Sequence, residues 1–350
     1  MDEFPRIVPH IAPPAQCALT GVRWMGYHQA KGLMGMKWYA PDIYPRFACI
    51  GGRCRHSCCV GWQIGIDPES LARYQAMEGP FGDQLRQGIQ DGCFRMDEQG
   101  RCAFLNPDGL CRMILQLGEG SLCQICADHP RFRNHYSHRT EMGLGLCCEE
   151  AARLTVLHKP PMKLILLGDD GLPDAPTARE KDFLTRRDYL LALLQKRELP
   201  IMDRLRRALA LWGVKADATP PAQWANRLAG LERLEEGWLQ SLRLLSQSPG
   251  GDAAFLHQPQ WETAFEQLAV YFCYRHLSGA LQDGRYRQRL AFCAVSVQIL
   301  RYLCMGRLAV HGQCTLAHLA EFSRQYSAEI EYSDDNLQAM LHWCGPSKNR

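Results

Sequence analysis

The sequence lacks the features that mark several common protein classes. Its 40 lysine and arginine residues are almost balanced by 37 aspartate and glutamate residues, and a net charge of +3 gives no indication of a nucleic-acid partner. No run approaches about 18 consecutive apolar residues, so we expect no membrane-spanning helix. The first residues, Met1-Asp2-Glu3, lack the basic and apolar regions of a secretory signal, and we therefore expect a cytoplasmic protein.

Familiar catalytic motifs are missing as well. The chain contains no His-Glu-x-x-His, no Gly-x-Ser-x-Gly and no Gly-x4-Gly-Lys-Ser/Thr motif, which argues against the enzyme classes that use them. The Cys-x3-Cys-x2-Cys pattern of radical S-adenosylmethionine enzymes is also absent, because Gly61 stands where the third cysteine would fall. The sequence therefore shows no recognisable cofactor pocket.

Cysteine, in contrast, is abundant. The chain has 17 cysteines, and 11 of them lie between Cys49 and Cys148. Their odd number and the missing export signal argue against a disulfide framework. In a reducing compartment, clustered cysteines are better explained as thiolate ligands of zinc or of an iron–sulfur centre, and the plain alternative is a set of buried apolar thiols.

The spacing of these cysteines favours iron–sulfur over zinc. Structural zinc sites usually show paired Cys-x2–4-Cys spacing, as Cys54/Cys58 and Cys123/Cys126 do here. The remaining spacings are irregular, and they suit an iron–sulfur cluster at least as well. Zinc stays the alternative.

The sequence predicts a mainly α protein with minor β structure. A loop-rich, metal-bound domain of residues 38–167 is followed by a linker at 168–180 and an all-helical domain at 181–350. Residues 1–37 show no sustained periodicity and are expected to be a poorly ordered extension.

Local patterns predict individual elements. Alternating apolar residues predict a short strand at 62–66, and Asp67-Pro68 supplies an N-cap and first-turn proline for the next helix. Apolar residues from Trp224 to Leu245 predict one long amphipathic helix. Ser333 is expected to cap a last helix that reaches about Trp343.

The cysteine motifs carry a resemblance to a known family. Tyr44-x2-Phe47-x-Cys49-x4-Cys54-x3-Cys58-Cys59-x-Gly61-Trp62 resembles the opening motif of the bacterial flagellin lysine N-methylase family. The similarity continues in Cys102-x-Phe104-Leu105, Gly109-Leu110-Cys111, Cys126-x3-Pro130-Arg131, Cys148-x-Glu150-Ala151-Ala152-Arg153-Leu154 and Ile330-Glu331-Tyr332-Ser333. The first block also resembles a broader class of cysteine-cluster proteins that are regarded as chelators of iron or zinc.

The resemblance implies methyl transfer from S-adenosylmethionine to lysine ε-amino groups of flagellin, by a protein with a cysteine-bound [4Fe–4S] cluster. Cys93, Cys123 and Cys147 are additional to the family pattern and are poorer ligand candidates, and Glu149 stands where proline is common. The expected metal ligands are the cysteines that match the pattern: Cys49, Cys54, Cys58, Cys59, Cys102, Cys111, Cys126 and Cys148.

Methyl transfer also requires groups that deprotonate the lysine and hold the methyl donor. Asp128, His129 and Glu150 neighbour expected ligand cysteines and are candidate proton acceptors. Arg131 is a candidate for clamping the donor carboxylate, and Trp62 for cation–π contact with the sulfonium. Surface ion pairs and core packing are the plain alternatives for these residues. The competing hypothesis is a non-catalytic metal chelator, in which the metal centre stabilises a loop-rich domain.

Overall fold

A computed structural model describes residues 37–169 and 175–345. The expected extension, apart from Lys37, lies outside the described residues, as do residues 170–174 of the expected linker. Residues 168 and 169 of that linker complete a strand.

The described residues are mainly helical with a small amount of sheet, as predicted. The helices are α1 Pro68–Gln75, α2 Gly79–Gln87, α3 Arg112–Leu117, α4 Gln124–Asp128, α5 Glu149–Leu157, α6 Ala178–Leu194, α7 Ile201–Leu211, α8 Pro221–Ala229, α9 Trp238–Ser246, α10 Pro259–His276, α11 Ala280–Asp283, α12 Tyr286–His311, α13 Leu316–Tyr326 and α14 Asp334–Trp343. The strands are β1 Lys37–Pro41, β2 Ile89–Gln90, β3 Cys93–Phe94, β4 Arg131–His135, β5 Arg139–Leu144 and β6 Leu164–Asp169. The last strand ends before residue 170, so the described part of the C-terminal half is entirely helical.

The described residues form two compact units. Residues 62–127 make up the smaller unit, and residues 37–61 together with 128–345 make up the larger one. The cysteine-rich segment that the sequence groups into one domain therefore contributes residues to both units.

The smaller unit has its own aromatic core. The ring of Phe94 lies 6.1 Å from that of Tyr74 and 5.3 Å from that of Phe104, and all three residues are buried. Asp67 caps α1 by accepting a hydrogen bond from the Ser70 amide at 2.9 Å, as predicted. This cap satisfies an N–H group that has no partner inside the helix.

No strand forms at residues 62–66. Ile64 and Ile66 are buried, as their alternation predicts, but pairing is limited to one bridge between Gly65 and Cys93. Hydrogen bonds from the Phe94 amide to the Ile64 carbonyl, at 3.0 Å, and from the Ile66 amide to the Gly92 carbonyl, at 2.8 Å, flank this bridge. The partner strand, β3, is only two residues long, so there is too little backbone to extend the ladder.

A four-stranded sheet in the larger unit has the order β4-β5-β1-β6. The central strand β1 runs parallel to β5 and antiparallel to β6, and Lys37 lies opposite Arg139 on one side and Asp169 on the other. The sheet thus ties together chain segments about a hundred residues apart. It places Arg131 and the loop that leads to Cys147 and Cys148 at the ends of neighbouring strands.

The helical core is built around α10 and α12. Leu268, Phe272, Phe292 and Leu300 are fully buried among the side chains of the surrounding helices. By length and composition α12 alone among the described helices qualifies as a membrane span, although the expectation was that none would. Its apolar stretch is 67% buried inside the protein, which is the environment of a core helix.

The single helix predicted between Trp224 and Leu245 is wrong, because the chain breaks between α8 and α9. Gly230 ends α8, and the buried carboxylate of Glu329 accepts hydrogen bonds from the amides of Leu234 and Glu235, at 3.0 and 2.6 Å. These two amides donate their hydrogen bonds to the side chain of a distant segment, whereas in a continuous helix they would donate to backbone carbonyls. The last helix agrees with the prediction, since Ser333 accepts a hydrogen bond from the Asn336 amide at 3.3 Å and α14 ends at Trp343.

The buried position of Glu329 generates a prediction about pH. Burial is the main cause that raises the pKa of this carboxyl from 4.5 to about 7. Because the folded state then binds a proton more tightly than the unfolded state, ionisation of Glu329 should lower the free energy of unfolding as pH rises from 4.5 to 7. The loss should reach up to about 3 kcal/mol and level off above pH 7.

The measurement is urea unfolding of wild type and Glu329→Gln across this pH range. The difference in free energy of unfolding between the two proteins should change as pH rises from 4.5 to 7. The reason is that Glu329 ionises in this range in the wild type, whereas the amide of Gln does not titrate. Glu236→Gln, at an exposed neighbouring position, is the matched control and should retain the wild-type pH dependence. A constant difference between wild type and Glu329→Gln would contradict the prediction.

Candidate cysteine-rich metal centre

Five of the eight expected ligands come together in the larger unit. The thiols of Cys58 and Cys59 are hydrogen-bonded, and this contact is the main cause that raises the pKa of Cys58. Negative charge on Cys49 and Cys148 raises it further. Burial is the main cause that raises the pKa of Cys54 and of Cys148, and negative charge on Cys49 raises both further. Thiols that influence each other's ionisation in this way form one electrostatic group.

Short turns bring these cysteines close in space. Residues Gly51–Arg53 form a 3-10 turn that Gly51 enters with φ of +55°, a conformation that favours glycine. The Gly51 amide donates a hydrogen bond to the sulfur of Cys49 at 3.4 Å. Cys148 lies at the N-cap of α5, where backbone N–H groups moderate the rise in its pKa to about 11 that burial causes.

Two carboxylates hold the turn that contains Cys54 and Cys58. Glu149 accepts hydrogen bonds from the Arg55 amide at 2.9 Å, from Arg55 Nε at 3.0 Å and from the Cys54 thiol at 3.8 Å. Glu321 on α13 lies 3.2 Å from His56 Nε2 and 3.7 Å from the Arg55 guanidinium. Glu149, which departs from the family pattern, therefore anchors the cysteine segment to the start of α5.

The five sulfurs of this group are suitable ligands for a soft metal ion or a metal cluster. Thiolates are the usual ligands of zinc and of iron–sulfur clusters, and a bound cation removes the repulsion that raises the pKa of grouped thiols. Among residues 37–169 and 175–345, no three Cys, His, Asp or Glu side chains are already arranged as metal ligands. The five sulfurs would therefore have to close around the metal on binding.

The other three expected ligands, Cys102, Cys111 and Cys126, belong to the smaller unit. Cys102 lies opposite Met96 in one bridge, and Cys111 lies opposite Leu105 in another before it caps α3. Cys126 is hydrogen-bonded to Cys123, and this contact is the main cause that lowers the pKa of Cys123. Cys123, which the sequence ranked as a poorer candidate, is therefore paired with an expected ligand.

Two of the three candidate proton acceptors lie in ion pairs. Asp128 is 2.6 Å from the guanidinium of Arg133, and Glu150 accepts two hydrogen bonds of 2.7 Å from Arg153. Each carboxylate is therefore already in contact with an arginine. His129 is a weak base, since burial and then the charge of Arg131 lower its pKa to about 4.

The two candidate donor-binding residues lie in different units. Arg131, at the start of β4, is stacked on the rings of Tyr44 and Phe47, with 5.9 and 5.4 Å between its guanidinium carbon and the ring centroids. Trp62 begins the smaller unit and is 37% exposed. The two aromatic rings thus hold the Arg131 guanidinium in one orientation.

A buried polar network, which the sequence reasoning did not find, lies beside the cysteine segment in the larger unit. Glu331 accepts a hydrogen bond from Tyr271 Oη at 2.9 Å, contacts His276 Nε2 and lies 3.6 Å from Arg275 Nε. Burial by itself would raise the pKa of Glu331, but the Arg275 charge and the His276 hydrogen bond outweigh it and lower the pKa to about 2. The carboxylate is therefore charged although its side chain is fully buried.

This network contacts the segment that carries Cys147. The Arg275 guanidinium is stacked between the rings of Phe132 and Tyr332, 4.9 Å from each centroid, and Tyr332 is hydrogen-bonded to the Cys147 thiol. A Cβ on Gly145 would lie 2.1 Å from Tyr332 Oη, so only glycine fits there. In the sequence, the family motif that contains Glu331 and Tyr332 could have pointed to this network, whereas no motif includes Arg275.

A small cavity lies next to this network, between the sheet and α10. Phe132, Tyr271, Tyr274 and Met162 line part of it. Its volume of about 40 Å³ holds a few water molecules but is too small for a nucleoside-sized methyl donor. A donor would require this region to open.

Comparisons with known proteins find similarity in the C-terminal part of the chain. Residues 229–347, which contain Arg275, Glu331 and Tyr332, match the family model described as the FliB lysine N-methylase C-terminal domain. Over these residues the chain is similar to FliB lysine N-methylases. No solved structure matches the chain.

Individual relatives of this family come from Salmonella. Proteins named lysine-N-methylase from Salmonella typhimurium and Salmonella choleraesuis are 29% and 28% identical to the chain over 123 residues, 31% of this chain. The chain spans 30% of the length of each of these relatives. Flagellar biosynthetic protein FliU of Salmonella muenchen is 26% identical over 169 residues, 45% of this chain and 90% of that protein.

The buried carboxylate of the family motif generates a prediction about stability. Glu331→Gln removes the negative charge that faces Arg275, and the buried guanidinium then lacks its counter-ion. The free energy of unfolding should fall by about 3 to 5 kcal/mol.

Urea unfolding at neutral pH is the measurement. Glu198→Gln, at an exposed position, is the control for the loss of one carboxylate and should be within about 0.5 kcal/mol of wild type. Equal stability of Glu331→Gln and wild type would show that Arg275 does not depend on this carboxylate.

Proposed function

We propose that this protein methylates lysine ε-amino groups of flagellin, with S-adenosylmethionine as the methyl donor and a [4Fe–4S] cluster bound by its cysteines. The observation that supports this function best is the position of the family motif. Glu331 and Tyr332 lie within the segment that matches the lysine N-methylases, and Tyr332 contacts Cys147, next to Cys148. The matched region and the cysteine group therefore form one site in the larger unit.

The helices of the matched region position the cysteine segment. Glu321 on α13 lies within the match and binds Arg55 and His56, between Cys54 and Cys58. Arg275 on α10 lies against the ring of Tyr332, which reaches Cys147. A domain shared with lysine N-methylases thus orients the residues proposed to hold the metal.

Methyl transfer requires a neutral amine, whereas a lysine in water has a pKa near about 10.4. The carboxylates of Asp128 and Glu150 are paired with Arg133 and Arg153, so a role as proton acceptor requires the arriving lysine to displace an arginine. Arg131 is proposed to bind the donor carboxylate with a guanidinium that the rings of Tyr44 and Phe47 hold in place.

The metal centre is proposed to be held by those cysteines of the family pattern that lie in the larger unit. When bound, a [4Fe–4S] cluster supplies a one-electron redox centre, whereas zinc would supply a structural staple or a Lewis acid. The chelator alternative keeps the same ligands and needs no methyl donor.

The direct test is incubation of the purified, metal-loaded protein with flagellin and S-adenosylmethionine. Intact mass measurement should show flagellin that gains whole methyl groups, and peptide mapping should place them on lysines. Absence of methylated flagellin with the metal-loaded protein would favour the chelator.

Variants at three positions then test the proposed roles. Arg131→Ala should weaken donor binding without loss of metal, and Arg131→Lys should restore it poorly because a bidentate contact is lost. Asp128→Asn and Glu150→Gln should lower turnover with nearly unchanged donor affinity. Arg243→Ala, at an exposed position, is the control. Wild-type turnover in all four test variants would contradict these roles.

The identity of the metal is a separate prediction. Anaerobically purified protein should be brown, absorb broadly near about 400 nm and hold about four irons per chain. Cys58→Ser should lose most of this iron, because Cys58 is hydrogen-bonded to Cys59 and lies near Cys49 and Cys148.

Cys314→Ser is the matched control, since Cys314 lies after α12 and outside the expected ligand set. It should keep the wild-type iron content. A colourless protein with stoichiometric zinc would overturn the iron prediction and support the chelator alternative.

A further inference from the structure

A second concavity, of about 780 Å³, lies in the larger unit. The start of α6, the end of α7 and the junction of α11 with α12 form its walls. We call it the arginine groove and define it by Arg179, Arg186, Leu211, Arg285 and Arg287. None of these residues belongs to the cysteine group or to the Glu331 network.

The groove has an excess of positive charge. Its lining contains four arginines and one acidic residue, Asp182. Arg186 is paired with Asp182 at 3.0 Å, and Arg285 is paired with Asp283 at 3.0 Å. Arg179 and Arg287 are exposed and form no ion pair or hydrogen bond with another described residue. Two guanidinium groups are thus available to an anionic partner.

The end of a long helix adds to this charge. Tyr286 and Arg287 are the first residues of the 26-residue helix α12, and Arg285 at its N-cap provides no capping side chain. The N–H groups of the first turn and the helix dipole therefore also favour an anion at this end of the groove.

The charge argues against the methyl donor as the ligand. S-adenosylmethionine carries a sulfonium and an ammonium against one carboxylate, so the groove repels it, and it repels the lysine side chain of a substrate equally. The charge of the groove favours an acidic partner instead.

The aromatic residues of the groove argue against nucleic acid. The ring of Tyr286 lies 6.0 Å from that of Trp212 and 6.2 Å from that of Phe183, so these rings already pack on one another in the place that a stacked base would take. The exposed apolar side chain is Leu211, which is 57% accessible. Carboxylates beside an apolar residue fit this surface better than stacked bases do.

We propose that the arginine groove binds an acidic segment of the protein substrate, in which aspartate or glutamate residues flank an apolar residue. This proposal rests on the proposed function for the identity of the partner. The carboxylates of the segment would pair with Arg179 and Arg287, whose planar guanidinium groups can each make two parallel hydrogen bonds to a carboxylate. The apolar residue of the segment would pack on Leu211.

The test measures binding of a fluorescent eight-residue peptide of glutamate and leucine by anisotropy, at low and moderate salt. The wild-type protein should bind this peptide, and a peptide with glutamine in place of glutamate should bind far more weakly. Arg179→Glu combined with Arg287→Glu should weaken binding at least about tenfold, because two charge-assisted contacts become repulsive.

The control is Lys196→Glu combined with Arg243→Glu, which makes the same change in net charge at exposed positions outside the groove. It should bind the peptide like wild type, and both double variants should keep the wild-type unfolding midpoint. Equal affinity of the groove variant and the control would overturn the proposal. Tighter groove-dependent binding of pyrophosphate or of a single-stranded oligonucleotide would also overturn it, in favour of a phosphate ligand.

The measurement uses neither methyl donor nor turnover. A protein that fails to methylate flagellin can therefore still give a positive result here. Likewise, failure of peptide binding leaves the methylation test unaffected.

Discussion

The buried charge of Glu331 is the constraint on which much of the larger unit depends. A buried carboxylate costs several kcal/mol unless it is paired, so Arg275 and His276 on α10 must meet the π-helical turn Ser327–Glu331 at one place. Once Arg275 is there, its guanidinium lies between two aromatic rings, and Gly145 has to lack a side chain. The position of the Cys147 segment follows from that requirement.

The cysteine group combines rigid anchors with adaptable turns. Helices α5 and α13 pack on each other and present Glu149 and Glu321 to the same short segment, through Arg55 and His56. The sulfurs themselves lie on turns, whose backbone has few long-range hydrogen bonds. This arrangement suits a centre that closes when metal binds, because the free energy of metal binding can offset the ordering of the turns.

The arginines near the cysteine group and those of the arginine groove have different partners. Near the cysteine group, Arg133 and Arg153 are paired with Asp128 and Glu150. In the arginine groove, by contrast, Arg179 and Arg287 form no ion pair with another described residue. The proposed acidic segment would therefore bind to arginines that the candidate site does not use.

By itself, the sequence determined the mainly helical class, the caps at Asp67 and Ser333 and the segments in which the cysteines lie, because caps and apolar periodicity depend on neighbouring residues. Tertiary structure alone decided the break after α8, the pairing of β1 with β5, and the meeting of Arg275 with Glu331. Each of these depends on a partner tens of residues away. The amides of residues 234 and 235 satisfy a buried carboxylate of a later turn, and no local pattern records that contact.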